Sequence, residues 1–504
     1  MHSREAPLDI GPDEFRTLGH ALVDRIADFL GEFPAGPVTT HAELAEVRDA
    51  VGRERLPERG TPAARLLEEA ADVLFRYSLF NGHPRFWGFI TASAAPIGIL
   101  SEMLAAAINP NLGGWILAPS ASEIERQTIR WIAQLIGFPD DCGGLLVSGG
   151  NVANFVGFWV GRRVRTPWDL RQHGYDEAAR PVRVYASRET HTWIQKAADL
   201  SGIGTDAIRW IDTDRAQRMD VRALRKQIET DRAAGNLPLI VVGTAGSVST
   251  GAIDPLREIH ALCREHGLWF HIDGAYGAPA AVLPDAPDEL KALGLADSIA
   301  IDPHKWLYAP LEAGCALVRD ATAIHETFAF HPPYYPEPEA TSDDAPIYYH
   351  EFGPQNSRGF RALKVWLGLR HAGREGMIRM ISEDIALARR MFDLADADPE
   401  LEAVTHALSI ATFRFVPEDL REARNAEAVA AYLDALNRDI VERIQAEGEA
   451  FVSNAVIEGR FVLRACIVNF RTSEEDVAAL IEIVRRVGRE VDAGKRPELE
   501  TARA

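Results

Sequence analysis

The sequence predicts an α/β fold in which helices cover a mostly parallel β-sheet. Between residues 120 and 320, short apolar runs rich in β-branched and aromatic residues alternate with segments of helical periodicity. These runs are GLLVS (144–148), VRVYAS (182–187), LPLIVVGT (237–244), LWFHID (268–273) and SIAID (298–302). Buried strands separated by helices are typical of parallel sheets, in which ligands gather beyond the carboxyl ends of the strands. The residues that follow each run are therefore the first candidates for a functional site.

The N-terminal region, residues 1–92, is predicted to be helical. The segments 13–33 and 61–80 carry apolar residues at helical spacing, with Thr61 as the expected N-cap and Pro62 at the first helical position. Two such helices cannot easily bury their apolar faces alone, so we expect them to pack on another subunit or on the main body.

The longest apolar stretch, residues 86–108, is interrupted by Pro96 and by the polar residues Ser101 and Glu102. These interruptions favour a buried helix over a membrane span. A main domain is predicted over residues 93–375, and its first long helix is expected to carry a capping box.

That helix covers residues 120–137, with the capping box formed by Ser122 and Glu125 and with Gly137 at its end. A Pro-, Tyr- and acid-rich segment, 326–357, reads as a functional or mobile loop. A small α+β domain follows at 376–504. It is expected to contain a helix, a strand, a helix, two strands and a helix, with the strands at 409–417, 451–456 and 460–470.

The charge balance disfavours nucleic acid and anionic membranes as partners, because 74 acidic residues outnumber 54 basic ones. The four cysteines lie far apart, and the N-terminus lacks a signal-peptide pattern. We therefore expect a soluble cytoplasmic protein. His260, Cys263 and His266 resemble metal ligands by type, but His266 drifts off the helix face that the other two share, so no metal site is predicted.

Several strand ends carry residues that suit one chemistry. The turn SGGNVAN (148–154) opens a helix, and its glycines allow backbone N–H groups to approach an anion. Asp273 follows one apolar strand and Lys305 follows the next, with the small Ala275 nearby. A buried carboxylate is costly unless it meets a partner.

This set matches the needs of pyridoxal phosphate. A lysine amine joins the cofactor's aldehyde, a carboxylate pairs with the ring nitrogen, and backbone N–H groups hold the phosphate. A small residue such as Ala275 fits flat under the ring, and an imidazole can stack on the other face.

The sequence also resembles the group II pyridoxal-phosphate amino-acid decarboxylases, which have the aspartate-aminotransferase fold (fold type I). The motifs that carry the resemblance run in the family's order over nearly the whole chain. They are HPRFWGFIT (83–91), NPNLGGW (109–115), SGGNVAN (148–154), ETHTWIQKA (189–197), HIDGAYGAP (271–279), DPHKW (302–306) and SRGFRALKVW (357–366). The resemblance implies a mostly parallel seven-stranded sheet and a homodimer with the active site between the subunits. The helical N-terminal region would lie across the partner.

The resemblance assigns catalytic roles to Lys305, His191, Asp273 and Tyr334, the last as the loop tyrosine that returns a proton to the substrate carbon. Tyr335 is close enough to leave that register open. The residues assigned to the cofactor are Lys305, Asp273, Ala275, His191, Gly149, Gly150, Asn151, Thr244, Asp302 and His304. The residues assigned to the substrate are Phe86, Trp87, Phe89, Thr91, Asn111, Gly113, Trp115 and Arg358.

Three departures from the family's pattern stand out. Asn151 replaces a serine in the phosphate turn, and Asp302 replaces the asparagine common in animal aromatic decarboxylases. Asn111 and Gly113 stand where that group carries bulky residues. These differences concern the shape and polarity of the substrate pocket.

The function predicted from the sequence is decarboxylation of an L-amino acid to the amine and carbon dioxide. The first substrates to expect are tryptophan, tyrosine, phenylalanine or a hydroxylated relative. The alternatives are an oxidative aldehyde synthase of the same family, a decarboxylase of a non-aromatic amino acid, and a catalytically silent binding protein. Retention of both His191 and Tyr334 favours the decarboxylase over the synthase.

Overall fold

The computed structural model describes residues 6–175, 180–330 and 345–503, with side chains as far as Arg496. Its helices are α1 (Pro12–Glu32), α2 (Leu44–Val51), α3 (Ala63–Tyr77), α4 (Pro96–Ile108), α5 (Pro119–Ile136), α6 (Gly149–Arg165), α7 (Leu170–His173), α8 (Trp193–Leu200), α9 (Val221–Ala233), α10 (Leu256–His266), α11 (Ala321–Phe328), α12 (Ala362–Ala397), α13 (Glu427–Glu447) and α14 (Glu474–Arg503). Its strands are β1 (Phe86–Trp87), β2 (Gly143–Val147), β3 (Val182–Ser187), β4 (Ile208–Ile211), β5 (Leu237–Thr244), β6 (Trp269–Asp273), β7 (Ser298–Ile301), β8 (Gly314–Val318), β9 (Leu401–Ala407), β10 (Ile410–Phe415), β11 (Phe451–Ile457) and β12 (Arg460–Cys466). Within these ranges, none of the helices combines the length and the apolar character that crossing a membrane requires.

The main sheet has seven strands in the order β2-β8-β7-β6-β5-β3-β4. All neighbouring pairs are parallel except those of β8, which runs antiparallel to β2 and β7. The predicted α/β fold with a mostly parallel seven-stranded sheet is thus confirmed. In register, Thr244 lies opposite Asp273, and Asp273 lies opposite Ala300. The carboxyl ends of β5, β6 and β7 therefore meet at one edge of the sheet.

Helix α6 lies unusually close to the sheet because two of its residues are glycines. A Cβ atom on Gly157 would come within 2.6 Å of the His271 ring, and one on Gly161 would come within 2.4 Å of Trp269. Any larger side chain would push the helix away from β6. The close approach brings the amino end of α6 beside the strand ends.

A second sheet, in the order β1-β11-β12-β10-β9, lies in the C-terminal part of the chain and is antiparallel except for the short β1–β11 pair. The predicted strands at 409–417, 451–456 and 460–470 correspond to β10, β11 and β12. Strand β9 was missed because LEAVTHA mixes apolar and polar residues without clear alternation. The domain boundary at 375/376 stays a prediction. Helix α12 runs through it and is kinked at Gly373 (φ 65°, ψ 174°).

Both predicted helix caps are wrong. Helix α5 begins at Pro119, so Ser122 lies inside the helix, and Glu125 instead accepts a hydrogen bond from the Leu146 amide. Helix α3 begins at Ala63, which puts Pro62 rather than Thr61 at the N-cap, and no side chain caps it. In each case the helix start differs from the one that the residue types favoured.

The expectation of a buried helix within 86–108 is also wrong for this chain. Four apolar side chains of α4 are at least half exposed, namely Leu100, Met103, Leu104 and Ile108. Ile116 and Leu117, a few residues later, are exposed as well. We call these six side chains the α4 patch. Several large apolar side chains exposed on one short segment are typical of an interaction site.

Helix α12 is tied to the main sheet by a buried acid. Asp384 accepts hydrogen bonds from Trp306 Nε1 at 2.8 Å and from the Tyr308 hydroxyl at 2.6 Å. Trp306 and Tyr308 lie within three residues after Lys305. The Asp384 carboxyl group therefore fixes the segment that carries the lysine. Burial raises the pKa of Asp384 to about 7.

We expect Asp384→Asn to flatten the pH dependence of stability. An unfolded aspartate loses its proton near a pH of about 4, whereas folded Asp384 keeps its proton up to about pH 7. Folding therefore takes up a proton in this window, and the free energy of unfolding falls as the pH rises through it, by about 1 to 4 kcal/mol. Asparagine does not titrate, and its oxygen can accept both hydrogen bonds.

Urea unfolding of both proteins at about pH 5 and about pH 8 measures the difference. Asp254, whose pKa burial raises to about 6, titrates in both proteins and cancels in the comparison. Parallel pH profiles for the wild type and the variant would contradict the prediction.

Candidate active site

A cavity of about 360 Å³ opens at the carboxyl edge of the main sheet. It lies where α6 begins and where β5, β6 and β7 end. The structure brings together there all ten residues that the resemblance assigns to a cofactor. They are Gly149, Gly150, Asn151, His191, Thr244, Asp273, Ala275, Asp302, His304 and Lys305.

Lys305 lies in the turn that follows β7. Its Nζ is 2.9 Å from Oδ2 of Asp302, a carboxylate that is almost fully buried. The next residue, Trp306, is fully buried and stacks on Tyr276 with ring centroids 5.0 Å apart. The lysine therefore stands on a rigid turn, with its amine at the cavity and an acid within proton-transfer distance.

Asp273 ends β6 and is buried, and both of its oxygens have donors. Oδ2 accepts from Trp193 Nε1 at 2.8 Å, and Oδ1 accepts from the Ala275 amide at 3.2 Å. Hydrogen bonds of this kind stabilise negative charge in the interior. Sequence reasoning missed the contact with Trp193, because a tryptophan at the start of a helix is typical of a core residue.

His191 precedes α8, and its Nδ1 accepts a hydrogen bond from the Trp193 amide at 3.3 Å. Burial lowers the pKa of His191, while the charge of Asp273 opposes that shift. The imidazole is therefore neutral at neutral pH, with Nδ1 as the acceptor and the proton on Nε2.

The glycine turn at the start of α6 can hold an anion. Gly149 has a positive φ of 77°, a conformation that favours glycine. It packs against Gly314 of β8 so closely that a Cβ on Gly314 would lie 2.5 Å from the Gly149 backbone. A Cβ on Gly150 would lie 2.5 Å from Oδ2 of Asp302. The turn therefore exposes backbone amides at the positive end of a helix.

A chain of hydrogen-bonded neutral side chains, which the sequence did not predict, anchors the backbone of this turn. Asn154 donates to the Gly150 carbonyl at 2.8 Å, and its Oδ1 lies 2.8 Å from Nε2 of His271. The other ring nitrogen of His271 lies 2.8 Å from the hydroxyl of Ser298. Burial lowers the pKa of His271 to about 4, so the ring stays neutral and donates through Nε2.

Two buried oxygens at the cavity have no hydrogen-bond partner among the residues that the structure describes. They are Oγ1 of Thr244 and Oδ1 of Asp302. His304, whose Nδ1 lies 2.8 Å from the Ala313 carbonyl oxygen, is beside them, and burial lowers its pKa. Together with the lysine, the buried aspartate and the glycine turn, these orphaned oxygens fit a bound pyridoxal phosphate.

The residues predicted to bind substrate do not line the cavity within one chain. Phe86 and Trp87 are fully buried in packing against the C-terminal sheet, where Trp87 Nε1 donates to Thr472. Their position gives them a packing role. Phe89 is 59% exposed and near Phe451, and Thr91 is half-buried.

The remaining predicted substrate residues lie near α5. Asn111 Oδ1 accepts from the amides of Gly113 and Arg358, and Trp115 donates to Glu123. Arg358 is buried, and its guanidinium pairs with Glu125 and donates to the Leu146 carbonyl. It therefore holds α5 to β2 and does not face the cavity. Tyr334 and Tyr335 lie outside the described residues.

Three residues at the cavity mouth were not predicted. Ile90 and Val248 line the cavity, and the buried Arg464 joins their segments, donating to the Val248 carbonyl at 2.5 Å and to the Phe89 carbonyl at 2.8 Å. Arg464 lies on β12, about 160 residues beyond Lys305, so no local sequence signal connects it with the site.

Comparison with known proteins agrees with this geometry. Residues 48–415 match the pyridoxal-dependent decarboxylase conserved domain. An aromatic-L-amino-acid decarboxylase of Bacillus atrophaeus is 32% identical over 485 residues, which cover 96% of this chain and 97% of that one. A phenylacetaldehyde synthase of Petunia hybrida is 28% identical over 466 residues, or 91% of each chain. The crystal structure of Oryza sativa TDC with PLP and tryptamine superposes with a TM-score of 0.88 at 27% identity, covering 97% of this chain and 99% of that one.

We expect Gly150→Ala to weaken binding of pyridoxal phosphate by roughly tenfold to a hundredfold, because an overpacked site costs about 1–3 kcal/mol. The new methyl group would lie 2.5 Å from the Asp302 carboxylate and would displace the partner of Lys305. Titration of the protein with the cofactor, followed by absorbance, measures the change. Gly368→Ala is the matched control, because a Cβ on that helical glycine meets nothing within 4 Å. Equal affinities for the two variants would contradict this description of the turn.

Proposed function

Because the chain belongs to the pyridoxal-dependent decarboxylase family, we propose that it removes the carboxylate of an aromatic L-amino acid and releases the amine and carbon dioxide. The enzyme is a carboxy-lyase that depends on pyridoxal phosphate. The main observation behind the proposal is that one cavity is lined by Lys305, the buried Asp273 and the glycine turn of α6.

We assign the cofactor-holding roles as follows. Lys305 carries the covalent link and pairs with Asp302, the turn Gly149–Asn151 and His304 hold the phosphate, and Thr244 lines the ring. Ala275 and His191 cover the two faces of the ring. When bound, the cofactor supplies an aldehyde that joins amines and an electron-accepting ring that stabilises the carbanion left by carbon dioxide.

The charges around the cavity support these roles. Asp273, held by Trp193 and by the Ala275 amide, would keep a proton on the ring nitrogen. His191 is neutral at neutral pH, since burial lowers its pKa, so it can stack without repelling that protonated ring. Asp302, at 2.9 Å from Lys305 Nζ, orients the amine toward the cavity.

The walls of the cavity disfavour a substrate with an acidic side chain. Ile90 and Val248 contribute apolar surface, and no arginine lines the cavity among the described residues. An acidic side chain would therefore lack a direct cationic partner there. The relatives point the same way, because the Bacillus atrophaeus enzyme is an aromatic-L-amino-acid decarboxylase.

An oxidative aldehyde synthase is the second candidate, because the Petunia hybrida relative is a phenylacetaldehyde synthase. His191 and Tyr334 are both present in this sequence, which favours the amine as the product. A decarboxylase of a non-aromatic amino acid, and a silent binding protein, are less well supported by the cavity walls and by the complete set of cofactor residues.

We also propose a homodimer. The α4 patch exposes six apolar side chains, and α1 has no buried residue in the isolated chain. Both surfaces would be covered by a second copy. Asn111 and Gly113 follow α4 directly, so a second copy docked on this surface would bring its own substrate residues toward the cavity. A cytoplasmic location is consistent with the four free cysteines.

We expect the purified protein, supplied with pyridoxal phosphate, to convert tryptophan, tyrosine or phenylalanine into the amine and carbon dioxide in equal amounts. The substitution Tyr334→Phe should divert the product toward aldehyde, because a carbanion that has lost its proton donor would instead be oxidised by dissolved O2, giving aldehyde, ammonia and hydrogen peroxide. Chromatography of the products together with a peroxide assay measures both outcomes.

Tyr335→Phe is the matched control. If it alone diverts the product, the neighbouring tyrosine is the proton donor. Aldehyde and hydrogen peroxide from the wild type would favour the synthase instead, and release of carbon dioxide only from non-aromatic amino acids would contradict the proposed substrate.

For the dimer, we expect Leu104→Glu to yield monomers, because a charge placed in the α4 patch would be buried without a partner. Light scattering on a sizing column measures the mass. Leu200→Glu, at an exposed leucine on α8 outside the patch, should remain dimeric. A monomeric wild type, or a dimeric Leu104→Glu variant, would contradict the proposal.

A further inference from the structure

We propose that Trp193 is a positioning residue that sets the affinity of the site for the cofactor's ring nitrogen by holding Asp273 and His191 together. The inference rests on the proposed function, in which these two residues contact the ring. Trp193 itself does not line the cavity; it acts through its neighbours.

The first observation is the hydrogen bond from Trp193 Nε1 to Asp273 Oδ2 at 2.8 Å. Trp193 is fully buried, so water does not compete for this bond. An indole N–H can only donate, and a bond to an ionised carboxylate is among the strongest that a protein makes. The bond therefore fixes the orientation of the Asp273 carboxyl group and gives Oδ2 a donor.

The second observation is that the backbone amide of the same residue donates to Nδ1 of His191 at 3.3 Å. This contact determines which nitrogen of the imidazole carries the proton and which way the ring faces. One residue thus holds, through two separate N–H groups, both the acid and the imidazole proposed to meet the cofactor ring.

The indole has little freedom to move. It packs edge-on against His271, with centroids 5.5 Å apart and planes at 81°, and against Phe158 at 6.3 Å and 80°. His271 is itself held by Asn154 and Ser298. The Nε1–H group therefore points at Asp273 whether or not the cofactor is bound, which makes the acid preorganised for the ring nitrogen.

Removing the indole N–H of Trp193 should lower the affinity only for a cofactor that has a ring nitrogen. Without the indole N–H, Oδ2 of Asp273 loses its donor, and the carboxylate is less stable as an anion in the interior. A cofactor that offers a protonated nitrogen then gains less from Asp273. A cofactor analogue with carbon at this position gains nothing from the charge of Asp273. Its affinity should therefore not change when the indole N–H is removed.

The test compares pyridoxal phosphate with its 1-deaza analogue, in which C–H replaces the ring nitrogen. We expect Trp193→Phe to weaken binding of pyridoxal phosphate by roughly tenfold or more, since a hydrogen bond to a charged group is worth about 1.5–3 kcal/mol. Binding of the analogue should change less than about twofold. Fluorescence quenching during titration gives both dissociation constants.

Trp159→Phe is the matched control, because its half-buried indole donates to Ser201 and does not touch the site. If the phenylalanine at 193 fails to fold by circular dichroism, benzothienylalanine introduced at position 193 replaces it. That side chain keeps the shape of indole and substitutes sulfur for the N–H group.

Equal weakening for both cofactors would overturn the inference, because the role of Trp193 would then be only structural. Unchanged binding of both would overturn it as well, because Asp273 would not need the donor. A wild-type protein that binds neither cofactor contradicts the proposed function itself, which distinguishes that failure from a failure of the role of Trp193.

Discussion

The site depends on burying one acid, Asp273, at the end of β6 with hydrogen-bond donors on both of its oxygens. An unpartnered charge in this position would cost several kcal/mol. Two donors, Trp193 Nε1 and the Ala275 amide, satisfy its oxygens. The parallel register of the strands then brings Thr244 and Lys305 to the same edge, and the glycines of α6 allow the helix to close the other side. Each of these features would have little purpose without the buried acid.

The sequence predicted the main sheet, because it follows from short-range patterns, and the ten residues assigned to a cofactor lie around one cavity. Buried parallel strands are continuous apolar runs, and their ends are where Asp273 and Lys305 stand. The contacts behind these residues were not predictable in the same way. Trp193 reaches Asp273 across 80 residues, and Arg464 reaches Val248 across 216. Such contacts leave no local pattern, since they depend on how separate elements pack.

Other predictions failed for a related reason. The pair Ser122 and Glu125 has the spacing of a capping box, yet the fold uses Glu125 to hold Arg358 and the Leu146 amide. Tertiary packing outweighs a local preference of about 1 kcal/mol. The stretch 86–108 is apolar enough for a buried helix, but its apolar side chains lie on the surface of the single chain. Hydrophobicity indicates that a face will be covered and does not say by what.

That exposed surface links the proposed dimer to the proposed site. The predicted substrate residues Asn111 and Gly113 lie in the chain between members of the α4 patch and do not line the cavity of their own chain. A site built between two copies would account for both facts together. It would also let the cofactor residues remain on one rigid sheet edge while the substrate walls come from more variable segments.

The covalent attachment of the cofactor at one lysine is the central claim, and peptide mass mapping after borohydride reduction tests it most directly. Borohydride reduces the imine to a secondary amine, which does not hydrolyse. The modified peptide therefore retains the added mass of the cofactor. We expect loss of the yellow colour and a pyridoxyl group on the peptide that contains Lys305 and on no other. A modification at a different lysine, or an unmodified Lys305 in protein saturated with pyridoxal phosphate, would contradict it.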